Sequence, residues 1–369
     1  MRALVAGGEG TVREPHHRPE LTEKHHPGRL MRIGLSRACD SHDGAAAPDH
    51  APWCAMRTLV TGAAGMIGSH LVDHLLSDGH QVIGLDNLLT GQDRNLRSAQ
   101  ADPDFSFVLA DIADEDALAS VGPVERVFHL ACPASPADFS TIPFEILRAS
   151  SAGTMAVASF AQRHGARLVL ASTSEIYGEP QVHPQTESYR GNVSPIGPRA
   201  CYDEGKRFSE AVVSSFVRSG GLDGAIARIF NTYGPRMRID DGRVVSNFVV
   251  QALRGDPLTI QGSGDQTRSF CFVDDQVAGL VALMESGESG PCNIGNDEEY
   301  SVMDLARIVV ELTGSSATIE HLPLPEDDPT QRRPDITAAR DLLGWKPVTP
   351  LREGLEKVIA STVEDLADR

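Results

Sequence analysis

The chain has 369 residues, 41% of them hydrophobic, enough to bury one large core or two. Its formal net charge of −18 argues against nucleic acid and anionic membrane surfaces as partners, since both are bound through clustered Lys and Arg. Six scattered cysteines without a CxxC pair point to reduced thiols in the cytoplasm and to no metal site, and no apolar run approaches the ~18 residues of a membrane span.

The first residues differ from the rest. HHRPELTEKHH (16–26) and SHDGAAAPDHAP (41–52) mix His, Pro, Asp and Gly without periodicity, and no apolar stretch follows as a signal peptide would require. Residues 1–55 are therefore expected to be a disordered leader, or translation upstream of a start at Met31 or Met56. The opening MRALVAGGEG mimics MRTLVTGAAG at 56–65, but TVREPHHRP after Gly10 cannot make the helix that a nucleotide loop needs.

RTLVTGAAGMIGSHLVDHLLSDGHQVIGLDN (57–87) reads as strand, glycine turn, amphipathic helix and second strand. Gly62, Gly65 and Gly68 permit a tight turn and close approach of backbone N–H groups to a pyrophosphate. Met66 and Ile67 open the helix whose N-terminal partial charge favours that anion. Asp86 ends the second strand where a carboxylate accepts from ribose hydroxyls, favouring NAD over NADP, and Asn87 follows it. A lone glycine pattern is weak evidence. Strand, glycines, helix, strand and acid in this order are strong evidence.

The alternation continues through FSFVLAD (105–111), VERVFHLA (124–131), ARLVLAST (166–173) and GAIARIFN (224–231), with helices near 145–164 and 203–219. This predicts an α/β fold, a doubly wound parallel sheet carrying a smaller C-terminal substrate lobe. The expected boundaries are 56–231 for the dinucleotide-binding domain, with 270–290 returning to it, and 232–369 mainly for the lobe. Ligands of such sheets sit at the carboxyl ends of the strands, so Asp111, Ile112, Leu130 and Ala131 join the cofactor residues.

Tyr202 and Lys206 stand one helical turn apart, and a lysine beside a phenol favours the phenolate, making Tyr202 a general base. Thr173, ending a strand in STSEIYG, offers a hydroxyl to the reacting oxygen. Tyr-x-x-x-Lys by itself occurs constantly by chance. Placed after a full dinucleotide motif and a strand-end Ser-Thr-Ser, it points to catalysis. In NTYGPRMRIDDGR (231–243), Arg236, Arg238 and Arg243 crowd one turn, a spacing suited to holding phosphates and carboxylates.

From about Met56 onward the chain resembles the extended short-chain dehydrogenase/reductases of the NAD-dependent epimerase/dehydratase type. More narrowly, it resembles UDP-glucuronate decarboxylases and UDP-glucuronate 4-epimerases. The residues carrying this are HLACPASP (129–136), STSEIYGEPQVHPQTESY (172–189), GNVSPIGPRACYDEGKR (191–207), ARIFNTYGPRM (227–237), DGRVVSNF (241–248), GSGDQTRSF (262–270) and RRPD (332–335). The resemblance implies tightly bound NAD, a UDP-sugar uronate substrate and a homodimer. It also implies substrate contacts from Ser174, Arg190, Asn231, Arg236, Arg238, Arg243, Arg268 and Arg333, with Arg268 meeting the diphosphate.

By that resemblance, Tyr202 takes the sugar O4 proton, Thr173 steadies the oxygen, and C4 gives hydride to the nicotinamide. The resulting 4-keto uronate either loses carbon dioxide or takes hydride back on its other face. Elimination as in the 4,6-dehydratases needs an adjacent Asp-Glu pair, and Ser174-Glu175 stands there instead. Glu175 matches the decarboxylases and is placed with the catalytic residues, whereas Arg190 stands where they usually carry Trp and Arg238 where they have His or Asn. A guanidinium fixing the carboxylate opposes its loss, so the expectation is 4-epimerisation to UDP-galacturonate, with decarboxylation to UDP-xylose as the alternative. A competing reading pairs Arg238 with Asp240 or Asp241, or turns it to solvent. A non-catalytic NAD-binding protein is a remote third possibility, and the presence of both Tyr202 and Lys206 argues against it.

Overall fold

The computed structural model describes residues 55–325 and 328–367, so the expectation for residues 1–54 lies outside it. Six strands alternate with helices: β1 (Arg57–Thr61), β2 (Gln81–Asp86), β3 (Phe105–Leu109), β4 (Arg126–His129), β5 (Arg167–Thr173) and β6 (Gly224–Ile229). A seventh, Pro291–Ile294, completes a sheet ordered Pro291–Ile294, β6, β5, β4, β1, β2, β3, with every neighbouring pair parallel. The order reverses between β1 and β4, and that switch point opens a crevice beyond the strand ends.

Side chains alternate across the sheet because the strand period is two. Leu59, Val127, Leu168, Leu170 and Ile226 face one apolar layer, whereas Val60, Phe128, Val169, Ala225 and Ala227 face the other. The first layer is closed by the helix Thr154–His164, through Val157 and Phe160, and by Val213 of the helix Ala200–Arg218. The second is closed by the helix Met66–Ser77, through Leu71, Val72 and Leu75, and by Val277, Leu280 and Leu283 of the helix Val273–Glu285. Both faces being covered explains why the strands read as continuous apolar runs.

A further core gathers Tyr233, Phe248, Val249, Ile260, Phe270, Phe272, Leu305, Val309, Leu351 and Leu355. It lies among the helices Val244–Arg254, Val302–Thr313 and Leu351–Ala367 and forms the smaller lobe. One short sheet there matters for the site: Thr267–Ser269 pairs antiparallel with Glu299–Ser301 and parallel with Gln331–Arg332, setting Arg332 opposite Arg268. Two segments assigned to the lobe from the sequence belong to the main sheet. The return at 270–290 extends through Ile294, and Ile336, Ala339 and Trp345 pack on the sheet's second face. The indole Nε1 of Trp345 donates to the Asp275 carbonyl at 3.0 Å, a link between distant segments that no local pattern announces.

Candidate active site

The glycine turn is built by steric necessity. Gly62 has φ +73°, and a Cβ there would lie 2.8 Å from the Ala131 nitrogen. A Cβ on Gly68 would lie 2.0 Å from the Gly62 carbonyl oxygen, so the helix can start this close to the strand only with glycine. Asp86 accepts from the backbone N–H of Ala64 at 3.0 Å and of Leu88 at 2.8 Å. Burial raises its pKa while these N–H groups, which favour the charged form, oppose the shift. A carboxylate has about four lone-pair sites and the Asn87 N–H takes a third, so one remains for a ribose hydroxyl. The bare turn and this carboxylate fit a dinucleotide.

A cleft of about 970 Å³ runs from this turn to the smaller lobe, at the upper end of ligand-site volumes. Among the predicted cofactor residues Gly62, Gly65, Met66, Ile67, Gly68 and Leu130 line it. Asp86, Asn87, Asp111, Ile112 and Ala131 stand at the adjacent strand ends without lining it; Asn87 Nδ2 donates to Asp111 at 3.2 Å. Thr90, Gln92 and Asn95 line the cleft unforeseen, with Asn95 Nδ2 donating to the Ala64 carbonyl at 2.9 Å.

Thr173, Ser174, Glu175, Tyr202 and Lys206 converge on the same cleft. Tyr202 is 6% exposed, and its ring stacks on Phe139 with centroids 5.0 Å apart. The expected lowering of its pKa by Lys206 is not what the protein alone produces. Burial pushes the phenol up, as does the Cys132 thiol, against the Thr173 hydrogen bond and the Arg243 charge. Lys206 Nζ lies 6.0 Å from the phenol ring centroid and donates to the Ala171 carbonyl at 2.9 Å. The lysine is thereby fixed on the face of the helix that carries Tyr202.

Glu175 is held differently from a free acid or base. Arg332 and Arg199 both donate to it, the latter at 2.6 Å. Burial alone would raise its pKa, but the two guanidiniums hold it at about 2, so it stays ionised at neutral pH. Its two oxygens anchor Arg332 and Arg199.

The arginines need several corrections. Arg238 lines the cleft, but its Nη2 donates to both oxygens of Asp138, at 3.1 and 3.2 Å. Asp240 stands 3.6 Å from its Nε, so the competing reading named one carboxylate correctly and missed the main one. Arg190 is exposed outside the cleft, leaving only its carbonyl engaged, by Arg207 at 2.9 Å. Arg333 does not line the cleft either; its backbone pairs with Gln185, and its neighbour Arg332 is the one that reaches Glu175. Arg236 lines the cleft in a left-handed backbone conformation, φ +66°, and donates to Asp73 at 2.6 Å. Arg243 pairs with Asp241 at 3.0 Å, Arg268 pairs with Asp328 at 3.0 Å, and Asn231 lines the wall between the lobes. Arg199, Asp138 and Phe139 also line the cleft without being expected from the sequence, although GNVSPIGPRACYDEGKR contains Arg199 beside Tyr202.

The model of the NAD dependent epimerase/dehydratase family matches residues 58–295. The chain is 50% identical to UDP-glucuronic acid decarboxylase 1 of Xenopus tropicalis over 303 residues, 82% of this chain and 71% of that protein. It is 51% identical to UDP-glucuronic acid decarboxylase 6 of Arabidopsis thaliana over 301 residues, 81% of this chain and 87% of that protein. Among solved structures, the UDP-glucuronic acid 4-epimerase of Bacillus cereus in complex with UDP-glucuronic acid and NAD superposes with TM-score 0.77 at 29% identity. That match covers 84% of this chain and all of that one.

Proposed function

The chain belongs to the NAD-dependent epimerase/dehydratase family and is an enzyme that uses NAD, and we propose that it converts UDP-glucuronate to UDP-xylose by decarboxylation. This replaces the expectation of 4-epimerisation. The observation that carries the reading is about 50% identity over four-fifths of the chain to proteins named as UDP-glucuronic acid decarboxylases, against 29% to the 4-epimerase. The engagement of Arg238 by Asp138 supports it, since the guanidinium expected to keep the carboxylate is already held.

The turn at Gly62, Gly65 and Gly68, with Asp86, would hold NAD, which would supply a reversible hydride acceptor for C4 of the sugar. Tyr202 takes the O4 proton once it is ionised, and the Thr173 hydroxyl that bonds the phenol favours that form and keeps its oxygen in line. The keto group at C4 places the C5 carboxylate β to a carbonyl. Carbon dioxide leaves, its bonding electron pair remains on C5 as an enolate, and a proton from water replaces it. Tyr202 returns its proton to O4 at the end. Arg268 and Arg199, with Asp328 between them, supply guanidiniums for the UDP diphosphate. Glu175 keeps Arg199 and Arg332 in place for this.

The test is incubation with UDP-glucuronate, with the sugars resolved by NMR and carbon dioxide measured in parallel. UDP-xylose and carbon dioxide in equal amounts are expected. UDP-galacturonate without carbon dioxide would restore the epimerase reading.

A further inference from the structure

We propose that Asp138 is the specificity-determining residue of this cleft: it withholds Arg238 from a uronate carboxylate and so commits the keto intermediate to loss of carbon dioxide. The inference rests on the decarboxylase reading and adds what decides the product.

Asp138 is placed close to the reaction. It ends the turn Pro136–Asp138, and the next residue, Phe139, stacks on Tyr202 with planes 18° apart. Both Asp138 and Arg238 line the cleft, with side chains 13% and 19% exposed. Two further contacts fasten their loops together independently of the pair itself. Ser135 Oγ donates to the Asp241 carbonyl, and Arg243 Nη2 donates to the Ala134 carbonyl at 2.9 Å. Asp138 is therefore held opposite Arg238 by the packing of two loops and is not an incidental surface partner.

The charges act in the same direction. Within the cleft wall the Arg238 charge is matched by Asp138, whereas Asp240 stands exposed outside the lining. Of the other arginines that line this part of the cleft, Arg236 is paired with Asp73 and Arg243 with Asp241. A β-keto carboxylate loses carbon dioxide most readily when its charge is poorly stabilised, because that charge disperses as the bond breaks. A guanidinium fork stabilises the charged reactant and slows the step. With Arg238 held by Asp138, a uronate carboxylate bound there would lack that fork.

Removing the carboxylate of Asp138 frees Arg238 to take its place on the substrate. Asp138→Asn keeps the size of the side chain and removes its charge. The expected result is a fall of roughly ten- to a hundredfold in the ratio of carbon dioxide to UDP-galacturonate, the worth of one charge-assisted hydrogen bond. Asp138→Glu should return the ratio towards that of the unaltered enzyme. In Asp138→Asn with Arg238→Gln the ratio should also return, since the effect runs through the guanidinium. Asp138→Ser, smaller and still polar, should give the same shift and serves if the Asn variant does not fold. A merely structural role would lower total turnover and leave the product ratio alone. An unchanged ratio in Asp138→Asn and Asp138→Ser overturns the proposal, as does a shift that persists without Arg238. No carbon dioxide from the unaltered enzyme would count against the decarboxylase reading, which is a separate failure.

Discussion

Arg332 donates to Glu175 across 157 residues of sequence, and the two side chains are 2% and 15% exposed. One oxygen of the carboxylate receives Arg332 and the other receives Arg199. The contact pins the segment after residue 328 to the end of β5, bringing the smaller lobe against the catalytic strand.

Glu175→Gln leaves Arg332 buried without a carboxylate, and breaking a buried pair from one side costs about 3–5 kcal/mol. The variant should unfold at lower temperature and lower urea concentration. The pH dependence follows from the sign of the shift. A carboxyl held at about 2, below its ordinary 4.5, contributes stability that is complete above pH 4.5 and is lost as pH falls towards 2. Thermal unfolding between pH 5 and 3 should therefore change less in Glu175→Gln than in the unaltered protein. Equal acid sensitivity in the two would show that Glu175 is not held this way.

Tyr202→Phe keeps the ring that stacks on Phe139 and removes the proton acceptor. Turnover of UDP-glucuronate should fall by roughly 10²–10⁴, with cofactor content and unfolding temperature little changed. Near-normal turnover would exclude Tyr202 from the chemistry.

Gly68→Ala puts a methyl group 2.0 Å from the Gly62 carbonyl oxygen, which belongs to the backbone and cannot swing aside. The turn must open, so purified protein should carry far less NAD, measured by releasing it with acid and reading its absorbance. Gly165→Ala is a control for glycine replacement as such: its φ is +64°, but no atom lies within 4 Å of the added Cβ. It should lose some stability to backbone strain and keep its cofactor. Equal NAD content in the two variants would remove the steric account of the turn.

The parallel sheet, the glycine turn with Asp86, and the Tyr202 and Lys206 pair were legible in the amino-acid order. Each depends on neighbours along the chain. A strand buried on both faces shows as an apolar run, a turn that excludes Cβ shows as glycine, and two residues four apart share a helical face. The pairings of the cleft arginines depend on positions far apart in sequence. Arg238 meets Asp138 from 100 residues away, and Arg236 meets Asp73 from 163 residues away. Local reading therefore counted these side chains as free cations facing the substrate, and leaned to a carboxylate clamp. Nor does RRPD (332–335) by itself show which arginine reaches Glu175: the pairing of Gln331–Arg332 with Thr267–Arg268 places Arg332 there. The sequence by itself determined the family of chemistry, since the groups that perform it are set by local geometry. Which charges remain available to the substrate was decided by the tertiary structure, because a charge is neutralised by whatever folding brings within about 4 Å of it.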